Sequence, residues 1–507
     1  MPSDRTMARV AWLLPVALAA AVWCSLTRNY FHFDDFLDLY QLRNDDPAHY
    51  FLRMYGGHLL IARHAVTALL DGLFGPDPRP FFTVVLVTHL VNTGLLYALV
   101  ARLTARWGLA AIAAAAWGTS PINEGALGWY AVYGQVAATT CLLLVLVGLA
   151  RPGVDERPGW AAALGWALCM VCGGMLFGVG IAAALVMPVA AWLLLPPGRP
   201  RRRALAALLL AVAILLATYA TLRSLELPLY GERRIETTFM LAGLTPEHLG
   251  EHLQLLGLLF GFGVATLPLG AVIDPNLFPT GAHAVALAAA ALLLVAGAWA
   301  GPAPVRRRLL ACLLVALGIY GLIAVARSML SGWVGLWPLA RSLRFHYAAG
   351  AVLAAALAVA AGACAGRWVR APRPRRALFA VALAAVSWTS LGVARRINHF
   401  DGDRAATEQA LAQIRAAIAA AAPGATVEIP NREFGSVGFL NVGYRDRFPG
   451  TAAVFAIFYP DDVVDGRRVV FTSSDELVLR GRLAGRRSPN LLRELPTPPP
   501  ADKEPAS

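Results

Sequence analysis

Two adjacent carboxylates, Asp34 and Asp35, stand in the run Asn29-Tyr30-Phe31-His32-Phe33-Asp34-Asp35-Phe36, directly after the first apolar segment. A carboxylate held among aromatic rings at a membrane edge loses hydration, and its pKa rises toward what a general base needs. The same pair offers oxygens to a divalent cation, but such a site needs further ligands, and His32 and Glu124 are the candidates. Asp35 and Glu124 are therefore the residues to watch for a metal. The plain alternative is a loop carboxylate that pairs with Arg28 or caps a helix.

A second group is cationic. Arg341-Ser342-Leu343-Arg344-Phe345-His346-Tyr347 stands at the head of an apolar run, and Arg327 closes the run before it. Arginine presents paired N–H donors that suit a phosphate. Arg63, Arg233 and Arg234 are weaker candidates of the same kind. For each, the ordinary alternative is snorkelling to lipid headgroups. A third group comprises polar residues in or beside apolar runs: His58 near Arg63 and His64, His89 and Asn92, Glu124 and Gln135. Ionisable groups near lipid point to function by default, although His89 and Asn92 are equally suited to hydrogen bonds between helices.

The elements that must position these residues are membrane spans. The 507 residues are 58% hydrophobic and 15% charged, with a mean hydropathy of +0.57, whereas soluble domains are about a quarter charged. The fold class expected is an all-α polytopic membrane protein with a small extracytoplasmic α/β domain at its C-terminal end. The net charge of +13 resides mainly in arginines of short loops. That is how orientation is recorded in membrane proteins, so nucleic acid is not the expected partner. The six cysteines, Cys24, Cys141, Cys169, Cys172, Cys312 and Cys364, all fall in apolar segments, where small buried side chains are expected rather than disulfides.

Met7–Thr27 reads as the first span, with a cytoplasmic N-terminus marked by Arg5 and Arg9. A long exported loop, Tyr30–Pro80, follows, and its middle, His49–Phe74, reads as one amphipathic helix lying on the outer membrane face. Further spans are expected at Phe81–Ala101, Gly108–Gly118, Trp129–Ala150, Trp160–Gly174, Met175–Leu195, Ala204–Leu222, Ala282–Ala300, Leu309–Ala326, Tyr347–Ala365 and Ala377–Ala394. Leu253–Ile273 is long enough to cross. The positive-inside rule places it at the outer face instead, because crossing would put Arg306, Arg307 and Arg308 outside; Gly257, Gly261, Gly263 and Pro268 also weaken it as a plain helix. The total is about eleven spans of ~20 residues. On this topology the Asp34–Asp35 loop and the Arg341–Tyr347 turn share the exported side.

The chain thus divides into a transmembrane domain, 1–394, whose exported loop 28–80 carries the carboxylates; an extracytoplasmic α/β domain, 395–495; and a disordered Pro-rich tail, 496–507. In the α/β domain, Asp403–Ala421 reads as a helix, and Thr426–Ile429, Ala452–Tyr459, Arg468–Phe471 and Glu476–Arg482 read as strands.

Taken in order, Phe-Asp-Asp-Phe in the first exported loop, Gly57-His58 and Arg63, His89-x-x-Asn92, Ser120-Pro121-Ile122-Asn123-Glu124 and Arg344-Phe345-His346-Tyr347 form a familiar series. Over about Ala11 to Ala394 it resembles the GT-C superfamily of polytopic glycosyltransferases. The nearest likeness is to the protein O-mannosyltransferase-like branch, which uses polyprenyl-phosphate sugars. The resemblance implies Asp34 or Asp35 as base, Asp34 by its place in the motif. It makes Glu124 a polar group of the second exported turn, and Arg344, with His346 beside it, the cation on the donor phosphate. It departs at the outer end of the fifth span, where Gly173-Gly174-Met175 replaces a Lys-Glu or similar polar pair.

The activity implied is transfer of a sugar from a polyprenyl-phosphate donor to a hydroxyl of a glycan, lipid or protein, with inversion, at the extracytoplasmic face of the cell membrane. No cofactor is required, a divalent metal being possible, and the phosphate is already a good leaving group, so no strong general acid is needed. The residues independently suit that chemistry: a carboxylate for the acceptor proton, cations for the departing phosphate and apolar spans for the lipid. Two other readings remain, a lipid or polysaccharide transporter and a non-catalytic scaffold that presents the C-terminal domain. A transporter would show polar residues deep in several spans and an internal repeat, and neither is evident.

Overall fold

The computed structural model describes residues 11–150, 159–230, 246–269, 280–368, 402–432, 434–439, 450–459 and 461–472, with isolated positions between 381 and 392. In chain order the main helices are α1 (Leu13–Trp23), α2 (Asp34–Asn44), α3 (Pro47–Leu52), α4 (Ile61–Phe74), α5 (Pro78–Thr104), α6 (Trp107–Gly118), α7 (Tyr133–Leu149), α8 (Trp160–Leu176), α9 (Gly178–Leu194), α10 (Arg199–Tyr230), α11 (Leu249–Leu269), α12 (Gly281–Ala300), α13 (Ala303–Arg327) and α14 (Tyr347–Trp368). Beyond these come α15 (Gly402–Ala420), strand β1 (Thr426–Pro430), α16 (Thr451–Phe458) and strands β2 (Val463–Val464) and β3 (Arg467–Thr472).

Two compact units result. One comprises residues 1–30, 46–329 and 336–400; the other comprises 31–45, 330–335 and 401–507. The segment that carries Asp34 and Asp35 therefore belongs to the same unit as the C-terminal residues.

The first unit is a helical multi-pass membrane bundle. Seven described helices are long and apolar enough to cross a membrane: Pro78–Thr104, Tyr130–Leu149, Arg199–Leu225, Leu249–Leu267, Gly281–Ala300, Ala303–Arg327 and Leu343–Trp368. Shorter apolar helices at Leu13–Arg28, Trp107–Gly118, Trp160–Leu176 and Gly178–Leu194 match further expected spans. The expected span Ala377–Ala394 lies largely outside the described residues. Leu253–Ile273 departs from expectation in one respect, because its described part belongs to the unbroken helix α11. Its glycines do not interrupt that helix. Gly263 admits a neighbour, since a Cβ there would meet the Tyr320 hydroxyl at 2.1 Å.

The amphipathic stretch His49–Phe74 is two helices rather than one. Gly56 (φ +55°) and Gly57 (φ +72°) turn the chain through a region that other residues avoid, and Tyr55 pairs with His58 across the turn. Helix α4 then buries its polar side: Arg63, His64 and Thr67 are inside, whereas Leu69, Leu73 and Phe74 are 60%, 64% and 55% exposed. That arrangement would be costly in water and is stable against acyl chains.

In the second unit, β1 pairs in parallel with β3, with Val427 opposite Val469 and Ile429 opposite Phe471, and β2 pairs antiparallel with β3. Val427 and Ile429 face Ile414 and Ile418 of α15, Phe455 of α16 and Val469. The run Ala452–Tyr459, expected as a strand, is helix α16. An unbroken apolar run carries no period that separates strand from helix. The parallel pairing of β1 with β3 requires a crossover between them, and α16 lies in it. The expected strand Glu476–Arg482 lies outside the described residues.

The outward face of α4 should lie in lipid. Leu73→Cys, carrying a nitroxide in an otherwise cysteine-free background, should be relaxed by oxygen and not by a water-soluble nickel chelate. Strong relaxation by the chelate would contradict that placement.

Candidate active site

The transmembrane unit gathers its cations around His58. The Gly56-Gly57 turn delivers this ring onto Phe177, with centroids 4.1 Å apart and planes at 26°. Helix α9 begins at Gly178, where a Cβ would lie 2.5 Å from His58 Nδ1. Arg327, the last residue of α13, donates from its guanidinium to His58 Nε2 at 3.1 Å. A ring nitrogen that accepts from arginine carries no proton. Burial first, then the charges of Arg327, Arg344 and Arg63, hold His58 well below the ordinary histidine range. Three arginines distant in sequence thus act on one half-buried, neutral imidazole.

Two of these arginines are themselves fixed. Arg63 is buried in α4 and donates to the carbonyl of Ala131 at 2.5 Å. Arg344 lies over the Trp129 ring, with its Cζ 5.0 Å from the centroid, and 5.3 Å from that of Phe345. The single turn Glu124–Leu127 packs directly on the Arg344 backbone: a Cβ on Gly125 would lie 2.6 Å from Arg344 N. The Glu124 turn and the Arg344 turn, expected to share a side, are in contact. Arg341 is half-buried, just after the short helix Leu336–Ala340, and its backbone N–H bonds the carbonyl of Trp337.

Three other candidates have their hydrogen-bonding atoms occupied. His346 is fully buried, with Nε2 donating to the carbonyl of Ala340 at 2.7 Å and Nδ1 accepting from the Tyr320 hydroxyl at 2.9 Å. His89 Nε2 donates to the carbonyl of Gly118 and Nδ1 accepts from the Tyr347 hydroxyl, each at 2.8 Å. Asn92 donates to Val136 O and the Tyr347 hydroxyl and accepts from Thr140 at 2.7 Å. These bonds join α5 to α6, α7 and α14, the interhelical role open to His89 and Asn92 in sequence.

In the second unit, Asp34 and Asp35 occupy the first turn of α2, where the helix dipole favours negative charge. Their neighbour Phe33 has φ +45° and ψ −113°, outside the regions comfortable for a bulky residue. Asp35 is buried, and its Oδ2 accepts from the backbone N–H of His32 at 2.9 Å. Asp34 is half-buried. His32 Nδ1 lies 3.1 Å from Asp403 Oδ2. The Phe33 N–H donates to Ser436 Oγ at 2.8 Å. The Ser436 N–H bonds Asp403 Oδ1 at 2.9 Å, and the Ser436 hydroxyl bonds Asp403 Oδ2. Burial pushes the Asp403 carboxyl up, but the bonds from His32 and Ser436 outweigh it and hold the group below the usual carboxylate range.

Asp403 and Ser436 carry no signal in the sequence. Asp403 reads there only as the start of a helix, and Ser436 falls in none of the expected elements. Arg233 and Arg234 lie outside the described residues. Among the described residues, no group of three or more His, Cys, Asp or Glu side chains is placed to hold a metal ion.

No family model matches the chain, and no curated protein does. Among solved structures it is similar to ArnT from Cupriavidus metallidurans bound to undecaprenyl phosphate, at 15% identity over 94% of this chain and 88% of that one, with a TM-score of 0.48. It is similar to the archaeal oligosaccharyltransferase AglB from Archaeoglobus fulgidus in complex with an inhibitory peptide and a dolichol-phosphate, at 13% identity over 80% of this chain and 58% of that one, with a TM-score of 0.37. The apo state of the same ArnT gives 14% identity over 94% and 88%, with a TM-score of 0.36. All three TM-scores are below 0.5, so the functional reading rests on the residues.

The neutral state of His58 has a measurable consequence. The unfolded chain takes up a proton on this residue as pH falls below about 6.5, whereas the folded chain does not. The His58 contribution is therefore complete above that pH and is lost below it, by up to about 1.4 kcal/mol per pH unit. His64, also held low by burial and by Arg63, adds a slope of the same sign. In thermal unfolding between pH 7.5 and 5, His58→Gln should flatten part of the decline. A slope identical to wild type would show that His58 is not the titrating group.

Proposed function

We propose that this chain is a membrane glycosyltransferase of the GT-C type that moves a sugar from a polyprenyl-phosphate donor to a hydroxyl acceptor. The observation that carries the reading is the Arg327 guanidinium on half-buried His58 Nε2 at 3.1 Å, with the charges of Arg344 and Arg63 acting on the same ring. A cluster of like charges at the edge of an apolar bundle is suited to an anion that bears an apolar tail. A lipid-linked phosphate meets both conditions, and the arginine N–H groups match its oxygens.

Departure of that phosphate concentrates negative charge on its oxygens in the transition state, and fixed guanidinium groups stabilise it there without reorganising. Arg344 is the principal grip, held by Trp129 and by the Glu124 turn. Arg63 and Arg327 reinforce it, Arg341 contributes a further charge, and neutral His58 orients the Arg327 guanidinium. His346 serves by fixing the turn that presents Arg344, since both its ring nitrogens are engaged.

The acceptor proton goes to an aspartate of α2. Asp34 suits this role better than Asp35, whose carboxylate is buried and bonded to the His32 amide. The reaction is a single displacement in which the acceptor oxygen bonds the anomeric carbon as the bond to the phosphate oxygen breaks, inverting that centre. The reaction is assigned to the extracytoplasmic face on the arginine distribution of the loops.

Purified protein given radiolabelled polyprenyl-phosphate hexoses and pentoses should transfer one of them. Asp34→Asn should lower the rate about 100- to 10,000-fold, and Arg344→Gln about 100-fold or more. Asp35→Asn should cost less than Asp34→Asn. Transfer at the wild-type rate by both aspartate variants would remove the base assignment.

A further inference from the structure

We infer that Asp403 and Ser436 are positioning residues that hold the Asp34–Asp35 turn in its working shape; the inference rests on the reading of that turn as catalytic. Every contact it uses lies within the second compact unit.

The turn needs holding because Phe33 is at φ +45°. A non-glycine residue in such a conformation is strained and persists only where its surroundings over-determine it. The surroundings do so from both sides of the strained residue. The Phe33 N–H is held by Ser436 Oγ. The preceding side chain, His32, bonds Asp403, and the His32 N–H bonds the Asp35 carboxylate. The Asp35 N–H closes back on the carbonyl of His32 at 3.0 Å.

All of these restraints lead to one group. The Asp403 carboxylate faces Ser436 N, the Ser436 hydroxyl and His32 Nδ1, a set of donors that favours its ionised form. Ser436 spends its only hydroxyl proton on Asp403 and thereby offers a lone pair to Phe33 N–H. The loop that carries Ser436 is shaped for the purpose: Gly435 has φ +50°, and a Cβ there would fall 2.0 Å from Asp403 Oδ1. The Asp403 side chain is 8% exposed. A structural role for the fold alone would not require the hydrogen-bond chain to end at the residue before Asp34. The core of Ile414, Ile418, Val427, Ile429, Phe455 and Val469 packs the unit without it.

Two readouts on the full-length protein test this. Hydrogen exchange needs no substrate. In Asp403→Asn and in Ser436→Ala, protection of the peptide 31–37 should fall at least tenfold, while that of 405–420 and 426–430 stays at the wild-type level. With the polyprenyl-phosphate sugar that the donor screen identifies, the same variants should lose at least tenfold in kcat with the donor KM within about twofold. Ser436→Thr, which keeps the hydroxyl, should recover most of it. Unchanged protection of 31–37, or loss spread equally over 405–430, would overturn the inference. So would wild-type kcat in Asp403→Asn. If no donor is used by the wild type and 31–37 is nevertheless released, the clamp stands and the catalytic reading of the turn falls.

Discussion

Three guanidinium groups acting on one uncharged imidazole are the constraint on which the transmembrane unit depends. At an effective dielectric near 20, two unit charges about 4 Å apart interact by roughly 4 kcal/mol. Gathering cations at the margin of an apolar bundle therefore needs a compensating design. Here it consists of rigid hosts: a carbonyl for Arg63, two aromatic rings for Arg344 and a neutral ring nitrogen for Arg327. A histidine that could take up a proton easily would add a fourth positive charge. Its desolvation beside Phe177 and the arginine charges oppose that and keep Nε2 available as an acceptor.

The polar residues of the bundle divide by what their hydrogen bonds do. His89, Asn92 and His346 have their donors and acceptors consumed by carbonyls and hydroxyls of neighbouring helices. They are the price of irregular packing in a medium that offers no water. The arginines around His58 are arranged instead as a concentration of charge. The difference cannot be read from residue types, because a histidine beside a span looks the same in either role. His346 is the instructive case: its place next to Arg344 suggests a ligand, and its two occupied nitrogens make it a strut.

Much of the transmembrane architecture was legible, since apolar length and arginine-rich loops are direct physical signatures. The Arg344 turn and the Glu124 turn were expected on the same side of the bundle, but not in contact. Three features were not legible. The break at Gly56-Gly57 lies inside a stretch whose apolar spacing looks continuous. Helix α16 is an apolar run too uniform to reveal its period. The affiliation of Phe31–Asp45 with the C-terminal residues rests on hydrogen bonds between positions about 370 to 400 apart, His32 to Asp403 and Phe33 to Ser436. Single polar side chains of ordinary type leave no pattern at such separations. The strain at Phe33 is likewise invisible, because nothing in a Phe-Asp-Asp-Phe run announces a positive φ.

The central claim is that the arginine cluster holds a lipid-linked phosphate, and equilibrium binding tests it without any catalytic step. Purified protein titrated with a polyprenyl monophosphate, followed by native mass spectrometry at two ionic strengths, should show saturable binding of one lipid that weakens with salt. Arg344→Gln should weaken it at least tenfold, and the corresponding uncharged polyprenol should bind poorly to both proteins. Equal affinity of wild type and Arg344→Gln for the phosphate, or equal affinity of wild type for phosphate and alcohol, would contradict the account.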